Sequence, residues 1–333
     1  MAPGSSDGRG NGAGNGLAIP SGRGSGSKPK GTKLAEDLRQ MAQGWRWGRR
    51  PLTPRSAEPW IPPVEPREFP TEWARTPPAK AARAFLQGQV LKPLVWNETD
   101  PRVEGLDVLA EVRPPVMFVS NHASHLDAPL VLCSLPKGWR EKTATAAAAD
   151  YFFDVWWRAA STALVFNAFP IERAGSRRST NTAQRLVGEG WNLLVFPEGT
   201  RSKDGWVGRF RLGAARLAME HHLPIVPVAL RGAYAAMPRG RGWPRSGRFP
   251  ISVRYGPVLR PRENEDVRTL THRMQLALAR LWDEDAVTWW DSLRREQRGE
   301  TPSPSGPAGP RWRRVWEATR PIPRDQTGRV WPR

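Results

Sequence analysis

An imidazole and a carboxylate stand five positions apart in Asn121-His122-Ala123-Ser124-His125-Leu126-Asp127, and a second polar cluster follows in Phe196-Pro197-Glu198-Gly199-Thr200-Arg201-Ser202. A carboxylate that accepts a hydrogen bond from one ring nitrogen fixes the tautomer and leaves the other nitrogen free to take a proton, so His122 with Asp127 is a candidate general base. In the second cluster the planar fork of Arg201 matches phosphate oxygens, and Glu198 can orient a donor or the arginine itself. Together these groups suit acyl transfer to a phosphate-bearing alcohol.

The chain must bend in a particular way for the pair to meet. Five residues along a continuous helix turn through about 500°, so His122 and Asp127 cannot share a face if both are helical. They meet if His122 lies in the turn after a strand at 116–119 and Asp127 in the first turn of the next helix, which Asn121 or Ser124 can cap. His125 is a rival base that ranks second, being expected on the opposite side of the helix start. Residues 192–196 read as a buried strand that Pro197 stops, and Gly199 allows the turn that presents Glu198 and Arg201. Either motif alone has a plainer reading, a surface histidine near an acid or a strand-turn-helix corner with an ion pair.

Further along, the pattern reads as strand 116–120, helices at 126–134 and 152–161, strand 164–166, helix 180–189 and strand 192–196. Helix 210–221, strands 225–230 and 251–255 and a closing helix at 267–282 follow. This alternation predicts an α/β fold, a mostly parallel central sheet flanked by helices, with disordered N- and C-terminal extensions. A Gly-, Pro- and Arg-rich extension is expected at 1–79, the folded domain at 80–292 and a basic Trp/Arg-rich tail at 293–333. The loop 231–249, with Arg239, Arg241, Arg245 and Arg248, reads as a lid or a solvated surface loop. The single cysteine, Cys133, excludes an internal disulfide and reads as a packed core residue.

Residues 121–127 resemble the NHxSxxD block of the glycerolipid acyltransferases, which include the bacterial 1-acylglycerol-3-phosphate acyltransferases, and 196–202 match the family's FPEGTRS block letter for letter. Ala168-Phe169-Pro170-Ile171-Glu172-Arg173 resembles the segment ending in a substrate-binding arginine, and Leu223-Pro224-Ile225-Val226-Pro227-Val228 the last, apolar block. The resemblance covers roughly residues 85–285. It implies that His122 deprotonates the acceptor hydroxyl, that Asp127 orients it, and that the alcohol attacks an acyl thioester on coenzyme A or acyl carrier protein. It also implies that Arg173, Glu198, Gly199, Thr200 and Arg201 hold 1-acylglycerol 3-phosphate, the product being phosphatidate. Transfer is direct, so no metal, redox cofactor or acyl-enzyme is expected. Because a thiol has a pKa of about 8.5, the thiolate leaves without a strong general acid. Unpaired N–H groups at the helix start after His122 are the expected stabilisers of the developing oxyanion.

Two departures bear on the acceptor. Family members specific for phosphate often carry a lysine between the first two blocks; here 143–151 reads Thr-Ala-Thr-Ala-Ala-Ala-Ala-Asp-Tyr. Ala168 also replaces the usual glycine. An acyltransferase for another lysophospholipid or hydroxylated lipid is the alternative within this class. From a different class, the alternative is an inactive basic protein that binds membrane or nucleic acid.

A formal net charge of +19 points to an anionic membrane or nucleic acid, and 17 tryptophans tip the balance to the headgroup boundary. An anionic membrane surface is therefore the expected partner beside the lysophospholipid and the acyl donor, and nucleic acid is not. Candidate contacts are 85–96, 152–169 and the tail 311–333, which has seven arginines and three tryptophans. With no apolar signal core and no uninterrupted apolar run of about 18–20 residues, peripheral or monotopic attachment at the cytoplasmic face is expected. Oligomeric state stays open.

Overall fold

The computed structural model describes residues 69–153, 155–171, 177–320 and 322; most of the N-terminal extension, Arg173 and the end of the tail lie outside them. Among the described residues, seven strands form one sheet: β1 (Thr99–Glu104), β2 (Met117–Ser120), β3 (Thr143–Ala148), β4 (Ala168–Ile171), β5 (Asn192–Val195), β6 (Ile225–Arg231) and β7 (Phe249–Tyr255). Their order across the sheet is β1-β7-β6-β2-β5-β3-β4, and every neighbouring pair is parallel except β6 with β7. β2 is central and wholly buried, which explains its unbroken apolar run. Its side chains alternate: Phe118 enters one core, Met117 and Val119 the other.

Helices cover both faces. On one side α2 (Lys92–Glu98) and α3 (Asp127–Ser134) place Val95, Leu130 and Val131 against Phe118; α1 (Pro77–Phe85) precedes them. On the other, α5 (Arg177–Gly188), α6 (Gly213–Glu220) and α7 (Val267–Glu284) contribute Leu186, Ala215 and Met274. α4 (Trp156–Phe166) runs into β4, while α8 (Trp289–Arg298) and α9 (Arg311–Ala318) end the described chain. No helix among the described residues is long and apolar enough to cross a membrane. Cys133 is buried in α3, where burial pushes its thiol up to about 11, so it is a core residue.

The structure corrects the element reading in four places. The strand expected at 164–166 is the last turn of α4; Asn167 then adopts a left-handed φ of 47° and the strand starts at Ala168. β3 went unread because alanine favours helix, yet Thr143 to Ala147 are buried between β4 and β5, and tertiary pairing overrides that preference. β1, with Pro101 and three charges, looks like a loop; as an edge strand it tolerates both. Pro170 is tolerated in β4 for the same reason. Beyond residue 300, where composition pointed to an extension, α9 is an ordered helix.

The exit of β2 is fixed by a side chain acting as strand. Asn121 donates its amide N–H to the Leu230 carbonyl and accepts the Leu230 N–H, both at 2.8 Å, continuing the β2–β6 ladder past its last backbone pair. Asn121→Ala leaves two buried backbone groups unpaired and is expected to destabilise the fold by about 2–4 kcal/mol in urea unfolding. A loss below about 1 kcal/mol would show that water replaces the amide there.

Candidate active site

β2 and β5 lie side by side and parallel, so their carboxyl ends release 121–127 and 196–202 at the same edge of the sheet. Asp127 opens α3, and one of its oxygens, Oδ2, takes three hydrogen bonds: from His122 Nδ1 at 2.9 Å, the Ala123 N–H at 2.6 Å and the Ser124 N–H at 2.8 Å. An ionised carboxylate only accepts, so Nδ1 carries the proton and Nε2 is left as the basic nitrogen. The Asp127 side chain is fully buried, while that of His122 keeps 21% exposure. The imidazole also stacks on Phe196, centroid to centroid 4.3 Å, which limits its rotation. One expectation fails here: the Ala123 and Ser124 N–H groups at the helix start are spent on Asp127 and are not available to a developing oxyanion.

The second loop grips the backbone of the first. Glu198 accepts the His122 N–H on Oε1 and the Gly208 N–H on Oε2, each at 2.7 Å, and the Ser202 N–H donates to the His122 carbonyl at 2.7 Å. Glu198 is thus turned to backbone rather than to Arg201, and it does not line the cavity described below. Burial pushes its carboxyl up to about 7; the two backbone bonds work against that rise, and the charges of Asp127 and Asp204 add to it. Gly208 is needed for contact, since a Cβ there would stand 2.8 Å from Glu198 Oε2. Gly199 has a φ of 70°, and a Cβ on it would meet the Arg211 guanidinium at 2.7 Å.

A cavity of about 1130 Å³ opens beside the His122 ring. Among the described residues, four arginines, Arg201, Arg211, Arg216 and Arg239, line it against two acids, Asp150 and Glu220, so it favours an anionic group. Gly199 and Thr200 also line it, Thr200 being exposed. Its other wall is apolar, built by Phe152, Phe166, Phe169 and Ile171 over the small alanines of β3. The stretch 152–169 is therefore divided between cavity wall and core, with Trp156 exposed. The Arg-rich loop contributes Arg239 to the cavity, while Arg248 donates to the Trp96 carbonyl at 3.2 Å.

His125 lines the same cavity but is poorly suited to act as a base. Its ring stacks on Tyr151, and burial first, then the charges of Arg201 and His122, lower its pKa to about 3, which makes it a poor base. Tyr151 went unnoticed in the sequence. Its ring lies beneath both Arg158, at 5.7 Å, and Arg201, at 5.8 Å, near the place where a family lysine was sought. Arg211, Ser202 and Gly208 were also missed; a backbone clamp leaves no signal in side-chain chemistry. Arg173 lies outside the described residues.

Residues 100–231 match the family model described as Acyltransferase. A chloroplastic 1-acyl-sn-glycerol-3-phosphate acyltransferase of Brassica napus is 33% identical over 141 residues, which is 41% of this chain and 39% of that protein. The 1-acyl-sn-glycerol-3-phosphate acyltransferase of Limnanthes douglasii is 34% identical over 181 residues, 52% of this chain and 60% of that one. The chain thus spans about half the length of the curated relatives it matches. In fold it is similar to the crystal structure of the 1-acyl-sn-glycerophosphate acyltransferase PlsC from Thermotoga maritima, with a TM-score of 0.51 and 21% identity over 65% of this chain and 86% of that one. Both clusters with which the sequence began lie inside the stretch that matches the Acyltransferase family model.

Proposed function

We propose that this chain is an O-acyltransferase moving a fatty acyl group from an acyl thioester, on coenzyme A or acyl carrier protein, to the free hydroxyl of 1-acylglycerol 3-phosphate. The observation that carries the reading is the Asp127-bound His122 opening onto the same cavity as Arg201. His122 Nε2 takes the hydroxyl proton as the oxygen attacks the thioester carbonyl. A C–O bond forms, the C–S bond breaks, and the proton passes from the imidazolium to the departing thiolate. Asp127 stabilises that imidazolium without itself taking the proton. The cationic side of the cavity suits a phosphate and its apolar side an acyl chain. The names of the relatives point to the same acceptor. Glu198, with its backbone clamp, and Gly199, with Arg211 across it, shape the loop that carries Thr200 and Arg201.

A second acceptor class has one observation in its favour: the wall formed by β3 presents alanines and then Asp150 where family members specific for phosphate often carry a lysine. The reaction is placed at an anionic membrane surface on the cytoplasmic face, with peripheral attachment. Exposed Phe85 at the end of α1, Val90 after it and Leu94 in α2, and exposed Trp312 and Trp316 on α9, supply apolar anchors on a chain of net charge +19.

Incubating the purified protein with labelled oleoyl-coenzyme A and a panel of acceptors is expected to give phosphatidate, and His122→Ala to lose at least about a thousandfold in kcat. Transfer confined to phosphate-free acceptors overturns the first choice, and full function in His122→Ala supports a binding protein. Vesicles containing anionic phospholipid are expected to sediment the protein, neutral vesicles and high salt to release it. The Glu198 carboxyl has an ordinary pKa of 4.5 and a folded one of about 7. Between those values the folded chain holds the proton and the unfolded chain releases it, so this group lowers stability as pH rises through the window, by on the order of 3 kcal/mol in all. Melting temperature should therefore fall less steeply with pH in Glu198→Gln than in the parent. The same variant should lose about tenfold to a hundredfold in kcat, since an amide accepts on one atom only.

A further inference from the structure

The loop 202–208, whose ends hold His122 and Glu198, is itself held by a part of the chain that lies outside the family-matched stretch. Between the anchors at Ser202 and Gly208, Asp204 forms a salt bridge with Arg314 of α9, Nε to Oδ2 2.6 Å. The Trp206 indole N–H donates to the Arg314 carbonyl at 2.9 Å, and the Val207 N–H to the Pro304 carbonyl at 3.0 Å. Arg311 reaches the Lys203 carbonyl at 3.4 Å. Arg314 also donates to the carbonyls of Pro307 at 2.8 Å and Ser305 at 2.7 Å, so one guanidinium ties the C-terminal segment to itself and to the loop. Packing follows the bonds: a Cβ on Gly205 would meet the Ala318 side chain at 2.7 Å, and Gly306 lies against the Trp206 ring.

Where these bonds land is the telling feature. Among the described residues, the hydrogen bonds joining 303–318 to the body all fall on Lys203, Asp204, Trp206 and Val207. A tail docked only for stability has no reason to choose the five residues between two anchors of a candidate base. Asp204 further organises the turn, accepting from the Ser202 hydroxyl at 3.1 Å and the Trp206 N–H at 3.3 Å. Burial acts to raise its pKa, but the Arg314 bond and the other donors outweigh it and hold the carboxyl below its ordinary value.

We infer that Arg314 and Asp204 are positioning residues: the C-terminal segment sets the loop 202–208 and, through Ser202 and Gly208, the placement of His122 and Glu198. The kinetic part of this inference rests on the acyltransferase reading; the structural part does not. The salt bridge touches no reacting atom, so its removal acts on turnover through geometry rather than through loss of a substrate contact.

The test uses the full chain with Arg314→Ala, Arg314→Lys and Asp204→Asn, and with the paired reversal Asp204→Arg/Arg314→Asp. Amide hydrogen exchange at His122, Ser202 and Gly208 is read beside kcat and KM. In Arg314→Ala those amides are expected to exchange faster, and kcat to fall about tenfold to a hundredfold with KM for oleoyl-coenzyme A within about threefold of the parent. Arg314→Lys and the paired reversal should recover part of both. Parental exchange rates in Arg314→Ala overturn the inference, as does a loss confined to KM. If the parent transfers no acyl group, the proposed function fails and exchange alone decides the positioning role. If Arg314→Ala does not fold, Arg314→Lys and Asp204→Asn carry the same comparison.

Discussion

One carboxylate oxygen organises the site. Asp127 Oδ2 receives the His122 ring N–H and two backbone N–H groups, and it does so at the first residue of a helix, where the aligned peptide dipoles favour negative charge. The turn 121–126 cannot relax without breaking all three bonds. The imidazole is therefore oriented by the same interaction that starts α3. This arrangement also spends the Ala123 and Ser124 N–H groups, two of the donors beside the helix start. Among the described residues, Arg201, Arg211, Arg216 and Arg239 are the cationic side chains that line the cavity beside it.

The sheet order explains why two motifs far apart in sequence form one site. β2 pairs with both β5 and β6, so the loops that leave the carboxyl ends of β2 and β5 lie side by side and border one crevice. Asn121 fastens one side of the crevice to β6, and the Ser202–His122 backbone bond fastens the other to the loop after β5. The apolar wall arises where β3 is reduced to alanines. Small side chains on a buried strand leave volume, and Phe152, Phe166 and Phe169 surround it instead of filling it.

Much of the site was legible because its chemistry depends on side-chain types. His122, Asp127 and Arg201 were found from residue type and spacing, and strands β2, β5, β6 and β7 from apolar runs ended by proline or polar residues. Strand β3 was not legible, since alanine carries no strand signal and only its neighbours make it one. The end of α4 was misread because Leu164-Val165-Phe166 is apolar and β-compatible, while the helix persists until Asn167 turns left-handed. The links between Glu198 and backbone, and between Arg314 and Asp204, were out of reach for a different reason. They join residues whose partners are set by tertiary geometry, not by any local period.

Why the buried acid of the second loop is a glutamate follows from its partners. Two N–H groups, from His122 and Gly208, point at it from either side, so both terminal atoms must accept. A glutamine offers one acceptor and would place its own N–H against a donor; an aspartate is one methylene shorter and cannot span the same gap. The carboxylate meets the demand but loses its hydration, and that loss is the largest cause of the rise of its pKa to about 7. A charge held at such a cost, touching no cavity wall, has its value in the atoms it fixes. Those atoms are the backbone of the residue that carries the candidate base.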